Sequence, residues 1–189
     1  NDTISDSSDG CAMGNLNWTS NSATDHDSDG CQDSSEDNDD DNDSVNDIFD
    51  DCPTGNLGWT SNSTTDHDSD GCQDNSSEDI DDDNDGADDI FDDCPTGNLN
   101  WISNSATDHN SDGCQDDSSE DLDDDNDSFL DEIDDCMHTF GNSTVNAMGC
   151  IDSDGDGWTE EGSDHWSEDD FPNDPTQWFD SDGDGFGFS

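Results

Sequence analysis

The sequence has no lysine, no arginine and no tyrosine, and only four prolines in 189 residues. Without a permanent cationic side chain it has nothing to set against a phosphate backbone, which excludes nucleic acid as a partner. Large apolar residues are scarce as well: Val, Ile, Leu and Phe together fill 22 positions. That is too few for the core with which an ordinary globular domain of this length offsets its chain entropy. Apolar runs stop at two or three residues, so no segment is long enough to span a membrane. What fills the space is acid. Asp and Glu number 57, for a formal charge of −57, and only seven of them are Glu. By composition alone such a chain reads as disordered.

Eight cysteines argue against stopping there. Their even number points to disulfides and to an oxidising setting, extracellular or at the cell surface. The chain opens on Asn1 rather than Met, which reads as a processed chain or a segment of one.

The cysteines also keep time. Every second one recurs after 41 or 42 residues, and the text recurs with it. Gly14-Asn-Leu-Asn-Trp18, Gly55-Asn-Leu-Gly-Trp59 and Gly97-Asn-Leu-Asn-Trp101 are one position in three copies. The expected organisation is an N-terminal arm or end of a preceding repeat at 1–10, then repeats at 11–51, 52–93 and 94–135. A short disulfide segment at 136–150 and an incomplete Asp-rich tail at 151–189 follow. A period of this length implies a linear array whose units touch only their neighbours. Asp, Asn, Ser and Gly dominate, and each favours turns over helix or ladder. Single helical turns are expected at most at 45–50, 87–92 and 129–134.

Within each repeat the acids are spaced. Asp25, Asp27, Asp29, Gly30, Asp33 and Glu36 match the twelve-residue calcium-loop pattern at positions 1, 3, 5, 6, 9 and 12. A hard cation wants six to eight oxygens at about 2.3–2.6 Å, and a tight loop aims alternate side chains inward to supply them. The carbonyl of Cys31 would add one more. The second copy reads Asp66, Asp68, Asp70, Asp74 and Glu78; the third reads Asp108, Asn110, Asp112, Asp116 and Glu120. Both are one residue longer, so Glu78 and Glu120 fall at position 13. A second loop follows each first one, at positions 1, 3, 5, 9 and 12. These are Asp39, Asp41, Asp43, Asp47, Asp50; Asp81, Asp83, Asp85, Asp89, Asp92; and Asp123, Asp125, Asp127, Asp131, Asp134. Position 6 is Gly86 in one of them and Ser44 and Ser128 in the others. The tail adds Asp152, Asp154, Asp156 with Glu160, and a last run of Asp180, Asp182, Asp184. A merely soluble acidic surface has no reason to prefer Asp to Glu or to hold this register, so several calcium ions are expected, about one per loop.

These are not paired EF-hands, because Gln32, Gln73 and Gln115 stand where the pairing strand wants an apolar residue and no amphipathic helix flanks them. The residues from Asp39 to Pro53 and from Asp81 to Pro95, with the Asp-x-Asp-x-Asp-Gly-Cys run before Cys31 and Cys72 and its Asn110 variant before Cys114, resemble thrombospondin type 3 repeats. The resemblance covers about 11–136 and implies back-to-back Asp-rich loops that wrap the chain around calcium with a disulfide. The tail is similar to loops of large secreted microbial surface proteins. The long Gly-Asn-Leu-x-Trp insert and the missing glycines at 44 and 128 depart from the family pattern.

Eight cysteines allow 105 connectivities. Sequential pairing, Cys11–Cys31, Cys52–Cys72, Cys94–Cys114 and Cys136–Cys150, uses all eight and repeats with the period, whereas the offset choice strands Cys11 and Cys150. The resemblance also implies joining the cysteine before Pro to the next one. Each bridge closes about twenty residues or fewer, worth on the order of 3 kcal/mol in loop entropy. A zinc site is not expected, since there is no CxxC and no Cys/His cluster. Trp18, Trp59 and Trp101 read as local packing rather than as a sugar platform. His26, His67 and His109 at position 2 read as outward-pointing spacers. Sequons occur at Asn1, Asn17, Asn42, Asn62, Asn75, Asn126 and Asn142; of these Asn17, Asn62 and Asn142 lie outside the metal loops and could carry glycans.

The expected fold class is therefore a mostly irregular, loop-rich linear repeat array, stabilised by calcium and disulfides, with little regular helix or strand. The expected function is non-enzymatic and structural: a surface stalk, matrix element or filament subunit. Its partners would be calcium, covalent glycans, and either itself head to tail or neighbouring surface proteins. The alternatives are a disordered Asp-rich mineral-binding or ion-buffering protein, and a glycan-binding accessory module of a larger secreted protein.

Overall fold

The computed structural model describes residues 2–160 and 168–187. Among them there is no helix, and the only ladder residue is an isolated bridge at Phe179. The three stretches that could have made a helical turn make only turns, at 47–48, 89–91 and 131–133. Among the described residues no helix is long and apolar enough to cross a membrane.

The chain is built instead from one local motif. An Asp carboxylate accepts the backbone N–H two residues on, as in Val45 N–H to Asp43 Oδ1 at 2.7 Å, Cys52 to Asp50 at 2.6 Å, and Phe129 to Asp127 at 2.8 Å. This Asx turn needs the short side chain, because the longer Glu arm cannot close so small a ring on its own backbone. The preference for Asp over Glu is thus a folding requirement.

Two compact units result, Asn1–Asn84 with Asp88–Ile90, and Asp85–Ala87 with Phe91–Ser189. The division falls inside the second loop of the 52–93 repeat rather than at a cysteine. In the first unit, Gly10 N–H donates to the Asp29 carbonyl and Asp51 N–H to the Asp70 carbonyl, both at 2.7 Å. In the second, Asp93 N–H donates to Asp112 at 2.7 Å and Asp135 N–H to Met148 at 3.0 Å. Each bond lies beside one of four disulfides, Cys11–Cys31, Cys52–Cys72, Cys94–Cys114 and Cys136–Cys150, with Cα separations of 5.0–5.2 Å. The sequential pairing is the one adopted, and no cysteine is free. Residues 2–10 make the contacts of residues 43–51: Ser20 N–H donates to the Asp2 carbonyl as Ser61 N–H does to that of Asp43.

The interior is inverted. Among the described residues the buried apolar ones are Cys31, Cys72, Cys114 and Cys150, and the rest of the buried set is dominated by Asp. Ile48, Phe49, Ile90 and Phe91 are more than 70% exposed, so the apolar residues are outside and the carboxylates inside.

Glycine at position 6 has two separate jobs. Gly71 has φ +90°, and a β-carbon on it would collide with the carboxylate and Cα of Asp50; Gly113 meets Asp92 in the same way, and Gly30 meets Asp9. Gly86 has φ +99° but open space around it. Ser44 and Ser128 take φ 85° and 83° at the equivalent place, where only the backbone conformation is demanding. This explains why the second loops tolerate serine and the first loops do not. Gly71→Ala should therefore destabilise the first unit well beyond the ~1 kcal/mol of a positive-φ substitution, while Gly86→Ala costs only about that amount. Thermal melts of both variants in the presence of a divalent cation check the difference.

Candidate metal centres

Each first loop holds its carboxylates by giving one oxygen to backbone N–H groups. In the loop from Asp25, Asp27 Oδ1 takes Asp29 N–H at 3.0 Å, Asp29 Oδ1 takes Cys31 N–H at 2.7 Å, and Asp33 Oδ1 takes His26 N–H at 3.1 Å. The loop from Asp66 repeats the bonds with Asp68, Asp70 and Asp74, at 3.2, 2.8 and 3.0 Å. In the loop from Asp108, Asn110 Oδ1 takes the place of a carboxylate and accepts Asp112 N–H at 3.1 Å, with Asp116 on His109 N–H. Side-chain hydroxyls missed in the sequence complete the set: Ser61 and Ser103 donate to Asp66 and Asp108, each at 2.5 Å.

The second loops are built alike. Asp39 takes Ser44 N–H at 3.2 Å, Asp41 takes Asp43 N–H at 3.2 Å, and Asp47 takes Asp40 N–H at 2.9 Å. Asp123, Asp125 and Asp131 do the same for Ser128, Asp127 and Asp124. The residues of the loop from Asp81 divide between the two units: Asp89 takes Asp82 N–H at 2.9 Å in the first, and Asp85 and Asp92 take Ala87 and Cys94 N–H in the second. Asn42 and Asn84 tie these loops to Asp27 and Asp68, and Asn126 donates to Asp112 at 2.9 Å. That occupies two of the sequon asparagines, Asn42 and Asn126. Asn17, Asn62 and Asn142 are exposed, although Asn62 Nδ2 is held by the Thr60 carbonyl and Thr65; Asn1 lies outside the described residues.

Each glutamate gives a carboxylate oxygen to the segment after the preceding cysteine, and the second oxygen of Glu78 is enclosed without a donor. Asn15 N–H lies 2.9 Å from both Glu36 carboxylate oxygens, and Asn56 and Asn98 N–H donate to Glu78 and Glu120 at 2.7 Å. They clamp the Gly-Asn-Leu turn. The neighbouring aspartates face the first loops: Asp37 groups with Asp29, Asp79 repels Asp68 and Asp70, and Asp121 repels Asp112. The same residues open a further cluster that the spacing pattern did not reveal. Asp33, Asp37 and Asp40 offer oxygens within 4.8 Å of one another. In the following copies Asn75 N–H donates to Asp82 at 3.2 Å and Asp117 N–H to Asp124 at 3.3 Å. The signal available in the sequence was the Glu-Asp pair at 36–37, 78–79 and 120–121.

In the tail Asp152, Asp154 and Asp156 accept Gly157, Asp156 and Trp158 N–H at 2.8, 3.2 and 2.9 Å, and Glu160 accepts Ser153 N–H at 3.0 Å. Buried Asp169, which the pattern did not single out, is raised to about 6 by burial and by Asp156, Asp154 and Asp152. Asp180 accepts Gly185 N–H at 2.9 Å and Asp184 accepts Phe186 N–H at 3.0 Å; Asp182 beside them is exposed.

The donor set fits a hard cation. One oxygen each of Asp25, Asp43, Asp50, Asp79, Asp125 and Asp134 is enclosed without a hydrogen-bond donor, on residues at most 7% exposed. A buried ionised oxygen without donor or counter-charge costs several kcal/mol, and this chain has no Lys or Arg to supply the charge. Protons are the only substitute. Burial, reinforced by Asp41, Asp43 and Asp47, outweighs the Cys52 N–H and pushes Asp50 up to about 7. Asp40, Asp43, Asp68, Asp82 and Asp125 are pushed to about 6, burial again being the largest cause. No family model matches the chain, and neither does any curated protein.

A carboxylate raised in the folded state stabilises it fully below its ordinary value of 3.8, and that contribution is lost as pH rises through 6 to 7. The cation-free chain should therefore be compact in acid and expand across that window, as read by small-angle scattering. Metal affinity should rise over the same window, because protons then cease to compete. Separately, Asp37→Asn should weaken cation binding about tenfold or more, whereas Glu36→Gln, which keeps an acceptor for Asn15 N–H, should leave it nearly unchanged by calorimetry.

Proposed function

We propose that this chain is a non-enzymatic, calcium-binding structural protein of the extracellular space or cell surface, in which bound calcium takes the place of a hydrophobic core. The observation that carries the reading is the enclosed, donorless carboxylate oxygen recurring from Asp25 to Asp134 in a chain without cationic side chains. The ligands are all oxygen, many to a loop, on irregular backbone that can adjust to seven or eight contacts. That combination suits Ca2+ better than Mg2+, which demands a small octahedral shell and gives up its water reluctantly. Calcium supplies charge neutralisation at each cluster, so its binding free energy becomes folding free energy. The chain's part is to hold the carboxylates on Asx turns and to shield them beside the disulfides.

Four disulfides favour an oxidising compartment. A repeat array of the thrombospondin type 3 kind, with one or more ions per loop, is the architecture this reading entails, and stalk, matrix element and filament subunit are the roles it suits. Glycans at Asn17 and Asn142 would lie clear of the acidic clusters. The dense network of Asp-to-backbone bonds speaks against the disordered mineral-binding alternative, since such a chain needs no specific partner for each carboxylate.

Chelation should collapse the order without breaking covalent bonds, because each emptied cluster leaves several like charges within a few ångströms. Circular dichroism and tryptophan fluorescence should change on adding chelator and recover with calcium. Native mass spectrometry in calcium should count more ions than the eight Asp-x-Asp loops, given the interleaved clusters at Asp40, Asp82 and Asp124. Spectra indifferent to chelator would refute the calcium core.

A further inference from the structure

Two of the five histidines converge in the second unit, where the sequence departs from its own period. The residue two after Cys11, Cys52, Cys94 and Cys136 is Met13, Thr54, Thr96 and His138 in turn, so histidine enters only in the last. In the first unit the position-2 histidine, His26, puts Nε2 2.9 Å from the Gly55 carbonyl oxygen. His109 instead stacks on His138, with ring centroids 4.2 Å apart and planes inclined by 7°. His109 Nδ1 meets Asp116 Oδ2, and His138 Nε2 lies 3.0 Å from Asp124 Oδ2 and 3.9 Å from Asp117 Oδ2. The Asp116 and Asp124 side chains are 4% and 0% exposed, while both rings keep an edge in solvent. His109, Asp116 and His138 offer ligand atoms that all lie within 4.8 Å of one another, and so do Asp117, Asp124 and His138. His109, read as a spacer in the sequence, is therefore not one here.

We propose that His109, His138, Asp116 and Asp124 form a site for one borderline divalent transition ion, of which Zn2+ is the representative. Neutral imidazole nitrogen is a ligand that calcium does not select and zinc does, and two nitrogens with two carboxylate oxygens make a four-coordinate zinc set. The buried carboxylates would serve both as ligands and as the charge that holds the ion. Because a ring nitrogen presents its lone pair in the ring plane, the stacked rings must splay to share an ion, and their exposed edges leave room for that rotation. The site shares Asp116 with the loop from Asp108 and Asp124 with the neighbouring acidic cluster, and the two imidazole nitrogens are what set its chemistry apart.

The test is a Zn2+ titration by calorimetry of the full chain in saturating calcium, which occupies the clusters that lack histidine and which zinc must displace from Asp116 and Asp124 by its preference for imidazole nitrogen. The expected result is one zinc per chain, weakened more than about tenfold in His138→Thr, which installs the residue found at 54 and 96, and likewise in His138→Asn. His67→Asn should bind zinc as the parent does. Co2+ in place of zinc should give the intense visible absorption of a tetrahedral site, absent in the His138 variants. Absence of zinc binding in calcium, equal binding by parent and His138→Thr, or equal loss in His67→Asn would each overturn the site.

Discussion

Everything in this molecule depends on carboxylates packed against one another with no lysine or arginine to oppose them. In most proteins a buried Asp is an exception matched by Arg, Lys or a run of N–H donors. Here buried Asp is the rule, and backbone N–H groups satisfy only part of each side chain. Asp43 shows the arrangement: one oxygen holds Val45 N–H, the other is enclosed without a donor, and the residue is 0% exposed. The fold is consequently a frame for charge that no lysine or arginine offsets, and burial raises Asp50 to about 7 and Asp43 to about 6. Its stability is therefore a function of solution composition to a degree that a hydrophobic core would not allow.

The frame itself is local. Asx turns set the direction of each carboxylate, the disulfides close stretches of 20 or 14 residues, and close glycine contacts set how one loop meets the carboxylate of the preceding one. Because the bonds are short-range, irregular backbone costs little in unsatisfied groups, and apolar residues are left outside rather than recruited. Ile90 is followed by Phe91 as Ile48 is by Phe49, and all four are more than 70% exposed. Exposure of that kind is tolerable in a chain whose charge keeps copies of it apart when no cation is bound.

Much of the candidate site was legible. The Asp-x-Asp-x-Asp spacing named the loops, and they do turn their carboxylates onto backbone N–H groups as that spacing demands. The period named the disulfide pairing among the alternatives that it left open. What escaped was the part played by the second of two adjacent acids. Glu36 and Asp37 are adjacent, and a twelve-residue template selects the first, but the longer side chain reaches Asn15 while the shorter one faces Asp29. Asp40, Asp82, Asp124 and Asp169 escaped for the same reason: they belong to clusters assembled from two loops, which no single-loop pattern spans.

Residue types and short spacings alone were enough to make the chain loop-rich, stapled by disulfides and in need of an external counter-charge. Asp closes local turns, cysteines recur in step, and Lys and Arg are missing, and none of these depends on how distant segments meet. The folded arrangement was needed to settle which neighbouring acid faces a cluster, where glycine is sterically required, and that His109 meets His138. Each of those outcomes depends on the direction of a side chain relative to a segment about 8 to 30 residues away, and direction is set by how the turns add up in space.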